Sequence, residues 1–190
     1  MKLLLASKSP RRRQLVAALG FPYEYVDISA DEHVSGELPA HRVAECIAQQ
    51  KADAFPASQL EAGSVLLTAD TVVVYGQQIM GKPANRAEAI DMLHSLSGHR
   101  HTVYTGVCLR APDNRVSFTE STDVYFKKLS QATIEHYVDT YQPYDKAGAY
   151  GIQEWIGMVG VERIDGCYYN VMGLPVARIY ESLSSKFLSR

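Results

Sequence analysis

The stretch Ser7-Lys8-Ser9-Pro10-Arg11-Arg12-Arg13 sets two hydroxyls and four cations in seven residues. It lies where a short apolar run, Leu3 to Ala6, gives way to a helical pattern. A helix N-terminus offers unsatisfied N–H groups and the positive end of a dipole, so an anion is favoured there. Arginine adds parallel donors that match phosphate oxygens. The segment suits a phosphate site. It equally suits a helix capped by Ser9, with Pro10 at its first position and its arginines in water.

A second segment, Thr68-Ala69-Asp70-Thr71-Val72-Val73-Val74, embeds a carboxylate in a β-branched run. Aspartate is unfavourable inside a strand, and a shielded carboxylate needs a cation, a metal or dense hydrogen bonds. Asp70 is therefore a candidate metal ligand or a base that activates water, with a structural salt bridge as the alternative. Gly81-Lys82-Pro83 offers a point charge on a tight turn, and reads by itself as an ordinary turn. Asp145 to Gln153 alternates small residues with charged, aromatic and amide groups, so its backbone could approach a ligand closely while offering polar contacts. Glu32, in an acidic loop, could be a second metal ligand, and Lys51, on a helix, could reach a phosphate; each alone is an ordinary surface residue.

These residue types supply cations for a polyphosphate and one or two carboxylates for Mg²⁺ or Mn²⁺, which need few protein ligands when phosphates complete their shell. Phosphoanhydride hydrolysis needs positioning, charge neutralisation and an oriented water. No GxxxxGK[ST] loop and no Ser-His-Asp set is present. His94, His99 and His101 lack a zinc-like spacing and read as structural or surface residues. Cys46, Cys108 and Cys167 are scattered, which suits a reducing compartment and apolar packing.

The elements that must position these groups follow from periodicity and punctuation. Leu3 to Ala6, Tyr23 to Ile28 and Ser64 to Tyr75 read as strands, and Arg11 to Leu19 and Ala40 to Phe55 as helices. Asp31 to Pro39 reads as a polar loop. Pro83-Ala84-Asn85 leads a helix through about Leu96. Thr102 to Arg110 and Val116 to Lys127 read as paired strands, and Ser130 caps a helix to about Tyr141. Asp165-Gly166 has the length of a hairpin turn between Val159–Ile164 and Cys167–Met172, and Leu174 to Leu188 reads as a last helix. The mixture predicts one α/β domain over residues 1–190, a mixed twisted sheet flanked by helices, with middle and late segments forming a second lobe around a cleft.

The chain's 190 residues allow a substantial core, and its composition, 46% hydrophobic and 21% charged, is that of a folded protein. A net charge of −2 gives no global reason to bind nucleic acid or an anionic membrane. No run approaches the roughly 18 apolar residues of a membrane span, so the expectation is a cytoplasmic protein.

Taken in order, Leu5-Ala6-Ser7-Lys8-Ser9-Pro10-Arg11-Arg12, Ala69-Asp70-Thr71-Val72, Gly81-Lys82-Pro83, Leu96-Ser97-Gly98 with His101, Asp145 to Gln153 and Gly173-Leu174-Pro175 resemble the signatures of the Maf family over nearly the whole chain. The resemblance implies a fold like that of inosine triphosphate pyrophosphatases, with two lobes around a cleft. It implies a divalent-metal-dependent enzyme that hydrolyses nucleoside triphosphates to the monophosphate and pyrophosphate. By motif position, Asp70 would be the proton acceptor, and Arg11, Thr71 and Gln153 would govern substrate choice. Ser7, Arg11, Lys51, Lys82 and Lys146 would contact the triphosphate; Glu32 and Asp70 would hold the metal. Arg11, Thr71 and the Tyr150-Gly151-Ile152-Gln153 stretch look like the group that prefers dTTP and UTP over 7-methyl-GTP, with modified pyrimidine nucleotides among its substrates. A glutamine amide can accept from thymine N3–H and donate to O4, although the same amide, rotated, serves cytosine. A homodimer is a further implication. A non-catalytic regulator of cell division and an RNA-binding protein are the competing readings.

Overall fold

Leu3, Leu4 and Leu5 are almost wholly shielded from water and form the body of strand β1 (Lys2–Leu5). In the computed structural model, which describes residues 1–30 and 38–187, the chain continues through helix α1 (Pro10–Ala17), β2 (Tyr23–Tyr25), α2 (Ala40–Ala54), β3 (Ser64–Tyr75) and β4 (Gln78–Met80). There follow α3 (Arg86–Leu96), β5 (Arg100–Arg110), β6 (Arg115–Phe126) and α4 (Gln131–Tyr141). The last elements are α5 (Trp155–Gly160), β7 (Val161–Asp165), α6 (Tyr168–Met172) and α7 (Val176–Lys186), with 3₁₀ turns at Ala57–Gln59 and Ala147–Ala149. The strands form one seven-stranded sheet in the order β2-β1-β3-β5-β6-β7, with β4 paired to β3. β1 runs parallel to β2 and β3, while β3–β4 and β6–β7 are antiparallel. This is the mixed α/β sheet with helices that the sequence pattern predicts.

By its contacts the chain divides into two compact units. The first comprises Met1–Asp70, Thr105–Glu120 and Gly173–Arg190. Its core gathers Leu4, Ala48, Ala52, Phe55, Leu66 and Cys108. β1 and the first six residues of β3 are nearly continuous buried runs, as expected of parallel strands covered on both faces. α2 buries Val43, Ala44, Ile47, Ala48 and Ala52, a stripe at helical spacing. Its backbone lies so close to β5 that a Cβ on Gly106 would sit 2.2 Å from the carbonyl carbon of Ala44. Only glycine admits that approach.

The second unit comprises Thr71–Tyr104 and Ser121–Met172. Here α3 and α4 pack on one another. They bury Leu93, Leu96, Ile134, Tyr137 and Val138. Asn85 and Ser130 cap the two helices through their side-chain oxygens.

One expectation needs correction in this second unit. Cys167–Met172 is no hairpin strand: Tyr168–Met172 is a short helix, and β7 pairs with β6 at Asp123↔Asp165. The aromatic pair Tyr168-Tyr169 favours a strand by propensity, but tertiary bonds override it. The Cys167 N–H donates to Thr122 Oγ1 at 3.0 Å, and the fully buried Asn170 amide donates to Thr122 Oγ1 and to the Val103 carbonyl at 3.0 and 3.1 Å. The chain also reverses over Gly76-Gln77 into β4, a short strand outside the sequence-based expectations.

Candidate active site

In the first unit, Asp70 and Lys51 meet because two elements are pinned together two and three residues away. Thr68 is fully buried on β3, and its hydroxyl donates to the Ala48 carbonyl of α2 at 2.6 Å. Residues i and i+2 of a strand share a face, which puts Asp70 beside Thr68. Residues i and i+3 of a helix share a face, which puts Lys51 beside Ala48. The Lys51 ammonium accordingly donates to Asp70 Oδ1 at 2.8 Å, with the two side chains only 13% and 18% exposed. The cation that a strand carboxylate requires is therefore Lys51, and enough of Asp70 remains exposed for a ligand to reach it.

The Ser7–Arg13 segment realises its capping role. Ser9 is the N-cap of α1, accepting from the Arg12 N–H, and Pro10 occupies the first turn. Ser7 Oγ accepts from the Ser9 N–H at 3.3 Å. The structure also sorts the three arginines. Arg12 Nε donates to the Gly173 carbonyl at 2.8 Å, and Arg13 Nε to the Ser7 carbonyl at 3.2 Å, with its guanidinium 4.6 Å from the centre of the Tyr25 ring. Both brace the main chain around the start of α1. Arg11 is half-buried in the first turn of α1.

In the second unit, Gly148 N–H donates to the Gly81 carbonyl at 3.0 Å. This ties the Gly81-Lys82-Pro83 turn to the Ala147–Ala149 turn, and Lys82 stands exposed beside it. Lys146 is buried. Its ammonium donates to Asp145 Oδ1 at 2.7 Å and lies 3.0 Å from Glu154 Oε1. Glu154 Oε2 accepts from the Tyr137 hydroxyl, whose oxygen accepts from the Gly151 N–H at 3.0 Å. Burial and the adjacent carboxylate push the Tyr137 hydroxyl's pKa well above that of free tyrosine, so it stays protonated and donates. Tyr150, alongside, bonds His101 Nε2 at 2.7 Å, and burial depresses the His101 pKa to about 4. Gln153 Oε1 is buried and has no hydrogen-bond partner among the described residues. An orphaned buried acceptor is costly unless a ligand satisfies it.

Glu32 lies outside the described residues. Among the described residues no three His, Cys, Asp or Glu side chains cluster to hold a metal. A divalent cation at Asp70 would lean on that carboxylate, on water and on a ligand's own phosphates, as Mg²⁺ commonly does. The partly exposed Asp70 carboxylate fits such an ion. Sequence reasoning missed Thr68, Glu154 and Tyr137. Thr68 was legible, since it shares a strand face with Asp70. Tyr137 reads as an ordinary core position of α4, and nothing in the spacing links it to Glu154. No helix among the described residues is long and apolar enough to cross a membrane.

A family model described as Maf-like protein matches residues 2–186. The chain is 46% identical over 183 residues to the dTTP/UTP pyrophosphatase of Bacteroides thetaiotaomicron, covering 96% of this chain and 94% of the relative. It is 48% identical to that of Parabacteroides distasonis over the same shares, and 43% identical to that of Thermosipho africanus over 96% of this chain and 92% of the relative. The Ham1 protein of Staphylococcus aureus aligns with a TM-score of 0.48 and 13% identity, over 66% of this chain and 72% of that one.

Proposed function

The chain belongs to the Maf family, and from that premise we propose that it is a nucleotide pyrophosphatase that hydrolyses dTTP and UTP to the nucleoside monophosphate and pyrophosphate. The observation that carries the chemistry is the largely shielded Asp70 carboxylate on β3, held by Lys51 at 2.8 Å. A non-catalytic regulator has no need of such a carboxylate beside phosphate-binding cations.

In this reading a water attacks the α-phosphorus. The bond from that phosphorus to the α,β-bridging oxygen breaks, and pyrophosphate leaves. Asp70 takes the proton from the water. Ser7, Arg11, Lys51, Lys82 and Lys146 are the residues assigned to phosphate oxygens. Arg11 is the member of the arginine triplet assigned this role by family position, in keeping with the main-chain bracing by Arg12 and Arg13. Lys146 already faces two carboxylates, so the exposed Lys82 contributes more to the net attraction of a polyphosphate. Asp70, with Glu32, would hold a divalent cation, whose charge, when bound, offsets that of the triphosphate. Arg11, Thr71 and Gln153 select the substrate. The orphaned Gln153 Oε1 supports a base-reading role, because the N3–H of uracil or thymine is the donor it lacks. Modified pyrimidine triphosphates keeping that N3–H fall within the same class.

The test is turnover of dTTP, UTP, CTP, ATP, GTP and 7-methyl-GTP with Mg²⁺ or Mn²⁺, with monophosphate, pyrophosphate and orthophosphate measured separately. The expected products are dTMP or UMP and pyrophosphate. Asp70→Asn should lose about 10²- to 10⁴-fold in turnover, the contribution of a positioned base. Orthophosphate with a nucleoside diphosphate would place the cut elsewhere. Preference for 7-methyl-GTP would overturn the specificity. Near-normal turnover by Asp70→Asn would remove it as the proton acceptor.

A further inference from the structure

The Gln153 amide does not lie alone. A Cβ built on Gly151 would meet Gln153 Nε2 at 2.8 Å and Glu154 Oε2 at 3.0 Å. The amide nitrogen and the carboxylate thus crowd the same face of Gly151, and a side chain there would displace both of them. The other end of the amide, Oε1, is buried without a partner among the described residues. Glu154 is itself held from both sides, by the Tyr137 hydroxyl on Oε2 and by the Lys146 ammonium 3.0 Å from Oε1. Tyr137 is wholly buried, and its oxygen also accepts the Gly151 N–H, so the carboxylate, the glycine and the tyrosine are locked together.

We propose that Glu154 is a positioning residue that fixes which end of the Gln153 amide is offered to the base, and so selects uracil and thymine over cytosine. The inference rests on the reading of Gln153 as the base contact. An amide presents an acceptor at one end and two donors at the other, and little in its shape distinguishes the two orientations. A fixed anion beside it does distinguish them. The carboxylate attracts the NH₂ end and repels Oε1, and in a low-dielectric setting that preference is strong. Oε1 is thereby left as the acceptor facing away from Glu154. Uracil and thymine carry a hydrogen on N3 that satisfies it, and their O4 accepts from the second N–H of the amide. Cytosine presents a lone pair at N3 and an NH₂ at C4, so acceptor would face acceptor and donor would face donor. Buried mismatches of that kind are the most effective source of discrimination available to a site. Without the carboxylate the amide can turn over and serve cytosine as well.

The experiment compares kcat/KM for UTP and CTP in the wild type and in three variants. Glu154→Gln keeps the shape and removes the charge, and Tyr137→Phe removes the donor that holds the carboxylate. Gln153→Ala removes the reader itself. The expected result is a UTP:CTP ratio about tenfold lower in Glu154→Gln, chiefly through a gain on CTP, roughly the value of one hydrogen bond. Tyr137→Phe moves the ratio in the same direction, and supplies the readout if loss of a Lys146 partner unfolds Glu154→Gln. General loosening of the unit would lower both substrates together and leave the ratio in place. If Gln153→Ala abolishes the preference while the other two variants keep it, Gln153 reads the base and the role of Glu154 is overturned. If Gln153→Ala also keeps the preference, the base-contact reading fails, and the inference with it.

Discussion

The Lys51–Asp70 pair permits the most demanding test of this structure. Replacing Lys51 with Met keeps most of the apolar stem and removes the ammonium. At 2.8 Å the gross attraction is about 6 kcal/mol for an effective dielectric constant near 20. Desolvation of both groups offsets most of it. Pairs in full solvent retain at most about 1 kcal/mol, whereas breaking a buried pair costs about 3–5 kcal/mol. With side chains 13% and 18% exposed, this pair lies nearer the buried limit, and a coupling of about 2 kcal/mol is expected. Chemical denaturation of Lys51→Met, Asp70→Asn and the double variant, followed by circular dichroism, measures it as a double-mutant cycle. The Ala48–Thr68 bond holds both backbones in place, so neither single variant should move the elements that carry the pair. A coupling below about 0.5 kcal/mol, the usual limit of additivity for independent sites, would refute the claim that Asp70 is held by Lys51.

Other expectations can be checked by the same denaturation assay. Thr68→Val removes the hydroxyl's bond to the Ala48 carbonyl, which keeps its helical partner, and should cost about 0.5–1.5 kcal/mol. Gly106→Ala drives a methyl to 2.2 Å from the backbone of α2, which cannot yield as a side chain could; a loss above about 4 kcal/mol, or no folding at all, should follow. His101 supplies a pH signature. Its pKa is about 4 in the folded protein and about 6.5 when unfolded, so between those values the unfolded chain binds the extra proton. Stability is therefore full above about pH 6.5 and falls towards pH 4, by about 3 kcal/mol from this residue. His101→Gln should flatten the pH dependence across that window, and an unchanged slope would count against the assignment.

Much of the chemistry is legible in local sequence because it depends on local rules. A serine followed by a proline at a strand-to-helix junction caps a helix wherever the pattern occurs, and α1 begins as expected. An aspartate in a valine-rich strand must find a cation, a metal or dense hydrogen bonds. That need is visible in the residue types around Asp70 alone, and the mixed α/β layout is visible in the alternation of apolar runs with helical stripes. Identity across long separations is not legible in this way. That Lys51 answers Asp70 depends on α2 lying against β3, a packing that Thr68 and Gly106 permit but that no spacing announces. The same holds for Cys167–Met172, where Thr122 and Val103 draw a strand-like stretch into a helix. It holds for Glu154, whose carboxylate gains meaning only when Tyr137, Lys146 and Gly151 close around it. Periodicity and capping act within a few residues and are written in order along the chain. Ion pairs and buried hydrogen bonds are set by which surfaces come together, and folding alone decides that.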